Sequence, residues 1–140
     1  MNIKFISFSL LFLVLSGLSH ADSFHLATSI EKKGSTVSVS SERYLKLTVV
    51  KFQTNIKGTI NLNGIVQVSQ GVANIVMWSR VKGNFYFSKL PSLQKIRGAE
   101  PIEFSIPFSS PNDIITEVVL EVELPQGGKV TFDQLSVTKG

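Results

Sequence analysis

After residue 22, apolar and polar residues alternate with a period of two, and no segment places its apolar residues at helical spacing. Strands with one buried face read this way. Phe24, Leu26 and Ile30 give a first candidate, and in GSTVSVSS Val37 and Val39 alternate with serines. YLKLTVVKF carries Leu45, Leu47 and Val49 on one parity. GTINLNGIVQV sets Ile60, Leu62, Val66 and Val68 against Asn61, Asn63 and Gln67. ANIVMWSRV is mostly apolar on both parities, as a central strand would be. IEFSIPF places Ile102, Phe104, Ile106 and Phe108 together, and ITEVVLEVEL opposes Val118, Leu120, Val122 and Leu124 to Glu117, Glu121 and Glu123.

Turn-forming residues punctuate these runs at KKG (32–34), NIKG (55–58), SQG (69–71), VKG (81–83), SSPND (109–113) and PQGG (125–128). About eight or nine short antiparallel strands therefore predict an all-β sandwich or barrel. In the last run Val130 and Phe132 share one parity, whereas Leu135 and Val137 take the other. A bulge near Asp133–Gln134 returns both pairs to the same core. The longest irregular stretch is SKLPSLQKIRGAEP, 88–101. A loop of this length is either a functional loop or a plain crossover between sheets.

The N-terminus breaks the alternation. Lys4 precedes a charge-free run from Phe5 to Leu18, followed by Ser19, His20 and Ala21. This three-part pattern predicts a signal peptide over residues 1–21, cleaved after Ala21, and a single domain over 22–140. The apolar run is shorter than the roughly 20 residues a membrane helix needs. The expected location is therefore outside the cytoplasm, either periplasmic or extracellular. Without Lys4, 13 basic residues face 10 acidic ones, for a net charge of +3. The charges are scattered, apart from Lys32–Lys33, and leave no nucleic-acid footprint.

The inventory narrows the chemistry further. There is no cysteine, so thiol nucleophiles, Cys-based zinc sites and disulfides are excluded. His25 is the one histidine after residue 21, too few for zinc and poorly placed for a triad. Asp22, Glu31 and Asp133 could be weighed as ligands of a structural calcium, but they show no calcium-loop spacing. Glu121 and Glu123 lie about 7 Å apart along one strand, but both project from one wall rather than across a sugar bond. Together with Glu117 they read as a solvated acidic stripe. We expect no catalytic residue, no metal and no cofactor.

The order of GTINLNGIV, ANIVMWSRV, the aromatic FYF, IRGAEP, IEFSIPFSSP and VVLEVELPQGGKVTFDQLSV resembles a known group of domains. These are the galactose-binding-like, carbohydrate-binding-module-like jelly rolls of bacterial secreted proteins and regulators. Gly58, Leu62, Gly64, Trp78, Arg80, Gly98, Gly128, Val130, Phe132, Asp133 and Val137 carry the resemblance, which spans about residues 55–138. It departs at Pro101 or Glu103, where the group usually has an aromatic residue, and at Thr131, where a tryptophan is frequent, and residues 22–50 match weakly. The resemblance implies a single jelly-roll β-sandwich whose role is binding or structural support.

The strip VMWSRVKGNFYF, 76–87, holds the sole tryptophan. On a strand, Val76, Trp78 and Arg80 share a face opposite Ile75, Met77, Ser79 and Val81. After the VKGN turn, Tyr86 falls beside Trp78 and Arg80. Two readings stand. In one, Trp78, Arg80 and Tyr86 form a ligand strip, with a ring for stacking on a sugar and a guanidinium for its hydroxyls or a carboxylate. In the other, Trp78 belongs to the core and Arg80 pairs with Glu117, Glu121 or Glu123 on a neighbouring strand. The expected function is an exported, non-catalytic module for a carbohydrate or cell-envelope glycan. The alternative is a protein-interaction or assembly factor that contacts an envelope protein.

Overall fold

A computed structural model describes the backbone of residues 2–3, 6–7, 29–82 and 85–140, and the side chains of 30–82 and 92–140. Phe24, Leu26, His25 and Asp22 lie outside the described residues. Among the described residues nine strands run in order: β1 (Asn2–Ile3), β2 (Ile6–Ser7), β3 (Ser29–Lys33), β4 (Thr36–Ser41), β5 (Leu45–Gly71), β6 (Ala73–Val81), β7 (Phe85–Ile96), β8 (Ile102–Leu124) and β9 (Gly128–Lys139). No helix occurs among the described residues. These strands pair antiparallel throughout, and the main path is β3-β4-β9-β5-β8-β6-β7.

Two strands are far longer than the usual five or six residues. β5 has 27 residues and β8 has 23. Each merges two segments that the sequence reads as separate strands. NIKG and SSPND are therefore not hairpin turns but a corner inside a continuous ladder. Across it the pairing jumps from Lys57↔Ile114 to Gly58↔Ser110, leaving Pro111–Asp113 unpaired with β5. Gly58 turns this corner at φ 105, where a side chain is disfavoured.

The corner folds one hydrogen-bonded sheet into two layers. The first layer runs β5 (45–57), β8 (114–124), β6, β7. The second runs β8 (102–110), β5 (58–71), β9, β4, β3. Between them lies one core. Leu47, Val49, Phe52, Ile75, Met77, Leu120 and Val122 come from the first layer; Val37, Val39, Ile60, Leu62, Val66, Phe104, Val130, Phe132 and Val137 come from the second. This is the all-β sandwich predicted from the alternation. Pro107 is tolerated because its half of β8 pairs only with β5, so no second ladder needs its missing N–H.

The long irregular stretch predicted over 88–101 is mostly strand. β7 extends to Ile96, and only residues 97–101 lie outside strands. The proline in KLPSLQKI misled the pattern; β7 lies at the end of the strand order, where a proline is admissible. The bulge in β9 is present as expected. Asn63 pairs with Ser136 and Ile65 with Asp133, so two β9 residues face Gly64. Gln134 takes φ 52, and Phe132, Leu135 and Val137 are all buried. Asp133, considered above for calcium, instead accepts hydrogen bonds from Ser35 Oγ at 2.6 Å and the Gln134 amide at 2.8 Å. Gly64 makes the close packing beneath possible: a Cβ there would lie 2.6 Å from Leu135 and 2.8 Å from Phe104.

The Ser35 hydroxyl, and then the Gln134 amide, hold the Asp133 carboxyl below its usual range. A lowered carboxylate pKa supports the fold above the unfolded-state value and loses that support as pH falls through the folded one. NMR titration should place the Asp133 midpoint below about 3.9, the ordinary value, and Ser35→Ala should move it upward. Gly128→Ala should destabilise the protein by more than about 1 kcal/mol in urea unfolding, since φ 131 is forbidding and the new Cβ would meet the Gln70 carbonyl. Gly34→Ala, with open space around it, should cost less.

Candidate functional site

β6 lies between β8 and β7, so its alternation is sharply expressed. Ala73, Ile75, Met77, Ser79 and Val81 are buried in the core, and Asn74, Val76, Trp78 and Arg80 are half-buried on the outward face. Trp78 is thus not part of the interlayer core. Register builds rows across this face. Arg80 pairs with Glu117, which pairs with Gln53. Trp78 pairs with Val119, which pairs with Lys51. Val76 pairs with Glu121, then Thr48; Asn74 pairs with Glu123, then Lys46. On the other side, Tyr86 is the backbone partner of Arg80, and its side chain lies outside the described ones.

The acidic residues do not form the solvated stripe expected from sequence. Glu117 is only 7% exposed, because β5 and β6 flank it on both sides. Gln53 Nε2 donates to its Oε2 at 3.0 Å, and Lys51 Nζ stands 4.0 Å from its Oε1. Lys46 Nζ lies 3.5 Å from Glu121 Oε1, a long ion pair; that oxygen is shielded and makes no hydrogen bond among the described residues. Glu123 is held at both oxygens, by Asn74 Nδ2 at 2.8 Å and by the Tyr44 hydroxyl at 3.2 Å. These bonds hold the carboxylates on the face at fixed positions, where they act as oriented acceptors.

Trp78 sits amid this polar frame. Its ring nitrogen is shielded and has no hydrogen-bond partner among the described residues. A buried donor left unpaired costs about 1–3 kcal/mol. Farther along β6, a hollow of about 170 Å³ opens beside Val76, Lys46, Glu121 and Ser92. It shares Asn74 and Gln94 with a wider cleft of about 540 Å³ that reaches Lys95, Arg97 and Gln126. Sequence reading missed this extension, because it placed Lys95 on a loop; Leu93 and Ile96 both pack against the core, but the bulge between them breaks the alternation that would have marked a strand.

The outward face of the second layer is different. Its hollow of about 600 Å³, near Asn63, Ser105 and Ser136, contains no tryptophan or tyrosine. Some of its polar groups bond to neighbours: Ser105 Oγ donates to Asn63 Oδ1 at 2.8 Å, and Asn63 Nδ2 donates to Thr138 Oγ1 at 2.9 Å. The first layer therefore offers the better site, with a ring, a donor unpaired among the described residues, and fixed charges.

No protein-family model matches the chain, and no curated protein matches it. Solved structures do. A family 16 carbohydrate-binding module superposes with a TM-score of 0.53 at 11% identity, over 84% of this chain and 89% of that one. A family 29 carbohydrate-binding module from Piromyces equi superposes at 0.52 with 10% identity, over 84% and 78%. A chain from the Gt strain of infectious bursal disease virus also superposes at 0.52 with 11% identity, over 81% of this chain and 33% of that one. The protein therefore has the jelly-roll fold of carbohydrate-binding modules, a fold also used elsewhere.

Glu117→Ala should lower stability by about 1–3 kcal/mol in urea unfolding, because it strands buried partners. Lys51→Ala removes only a long, partly exposed pair and should cost under about 1 kcal/mol.

Proposed function

We propose that this protein is an exported, non-catalytic module that binds a glycan on the outward face of the β5-β8-β6-β7 layer. The observation that carries the reading is Trp78. It stands outside the core, half-buried, with a ring nitrogen that has no hydrogen-bond partner among the described residues, between rows of fixed carboxylates and cations. A sugar offers this site an apolar ring face for stacking and hydroxyls for the surrounding acceptors. Arg80 and Tyr86, which are register partners, are the proposed companions of Trp78. The jelly-roll neighbours that are carbohydrate-binding modules support the reading. The charge, apolar run and small residues of 1–21 have the pattern of a leader, which supports export and would bring the domain to envelope or extracellular glycans.

Affinity electrophoresis against a panel of neutral and acidic polysaccharides tests the proposal, using protein recovered from the envelope fraction with Asp22 as its first residue. Trp78→Ala should weaken retention at least about tenfold while the thermal melt stays cooperative. Loss of folding instead would assign Trp78 to structure and defeat the proposal. So would a stoichiometric protein partner captured from the envelope by a domain that retains no glycan.

A further inference from the structure

The wider cleft at the Asn74 end of this face is chemically distinct from the centre. Among the described residues, Lys51 and Lys46 stand within ion-pair distance of Glu117 and Glu121, but Lys95 and Arg97 belong to no ion pair. Both are exposed, and no carboxylate lines the cleft that holds them. Two positive charges at a concave surface without a counter-charge are a receptor for an anion.

The backbone presents one of them in a specific way. Ala73 pairs with Ile96 and Ile75 with Leu93, so Asn74 alone faces both Gln94 and Lys95. This is a bulge, a device that re-aims side chains and often lies beside functional sites. Lys95 has φ 53, a strained conformation for a residue with a side chain. It is held there because its amide donates to Asn74 Oδ1 at 2.8 Å. Asn74 in turn is fixed by donating to Glu123, which also accepts from Tyr44. An exposed lysine adds nothing to the core that would require this bracing. The strain is maintained by a chain of hydrogen bonds that begins on the proposed binding face.

We propose that this cleft is an anion subsite that receives the carboxylate of a uronic acid, so that the glycan bound by this face is an acidic one. The inference rests on the glycan reading above. Asn74 lies four residues from Trp78, about 13 Å along the strand, so one oligosaccharide can stack on the ring and reach the cleft. The Arg97 guanidinium matches a planar carboxylate with two parallel donors, and Lys95 adds a point charge.

The test compares retention of polygalacturonate, alginate and glucuronoxylan with retention of their carboxyl-reduced forms. The proteins are the unsubstituted domain, Lys95→Gln/Arg97→Gln, and Lys129→Gln/Lys139→Gln, which removes equal charge from β9 in the other layer. The unsubstituted domain should prefer at least one acidic form by about tenfold or more. The cleft variant should lose that preference yet still retain the reduced form, and the β9 variant should keep it. Equal retention of acidic and reduced forms, or equal loss in both variants, would overturn the anion subsite and leave the glycan reading standing. Retention of no polysaccharide at all would end both.

Discussion

The fold depends on one continuous pairing, that of β5 with β8. It begins at Leu45↔Leu124 and ends at Val66↔Ile102, passing through both layers. Every other element of the two layers attaches to this pair: β6 and β7 through β8, and β9, β4 and β3 through β5. The corner at Gly58 lets the pair fold back on itself, so that its own inward residues, Phe52 and Leu120 from one half and Leu62 and Phe104 from the other, join one core. One irregularity along it is braced by a side chain. Where the ladder skips between Gln53 and Ile56, Thr54 Oγ1 donates to the Ile115 carbonyl at 2.6 Å.

The same pairing determines where the charges fall. Because β8 is covered by β5 on one side and β6 on the other, its outward glutamates cannot extend freely into water. They are held by Gln53, Lys51, Lys46, Asn74 and Tyr44. Partly buried carboxylates of this kind contribute little net stability, since desolvation offsets much of the attraction. Their consequence is orientation: an array of acceptors in defined positions around a half-buried indole. On the outward face of the second layer, Ser105, Asn63 and Thr138 bond to one another.

Much of the fold was legible in the chain because strand alternation reports burial directly. Val37 and Val39, Ile60 and Leu62, and Phe104 and Ile106 all occupy the core as their parity requires. The β9 bulge was readable because the parity break between Phe132 and Leu135 has only one economical solution. The outward placement of Trp78 and Arg80 followed from Ile75 and Met77 opposite them. The corner was not legible, since a glycine and a proline-asparagine-aspartate cluster look alike in a hairpin and in a bend. Nor was β7, whose proline and lysines resemble a loop until the neighbouring strand is known.

The sequence by itself determined the all-β character, the inward face of nearly every strand and the absence of thiol chemistry, because these depend on side-chain type and a period of two. Only the tertiary structure decided which outward residues meet: Arg80 with Glu117, Asn74 with Glu123, and Lys95 with Asn74. Those pairings join residues as many as 49 positions apart. They are set by the register of long strands and by bulges, and a one-residue shift in either would send each side chain to the opposite face.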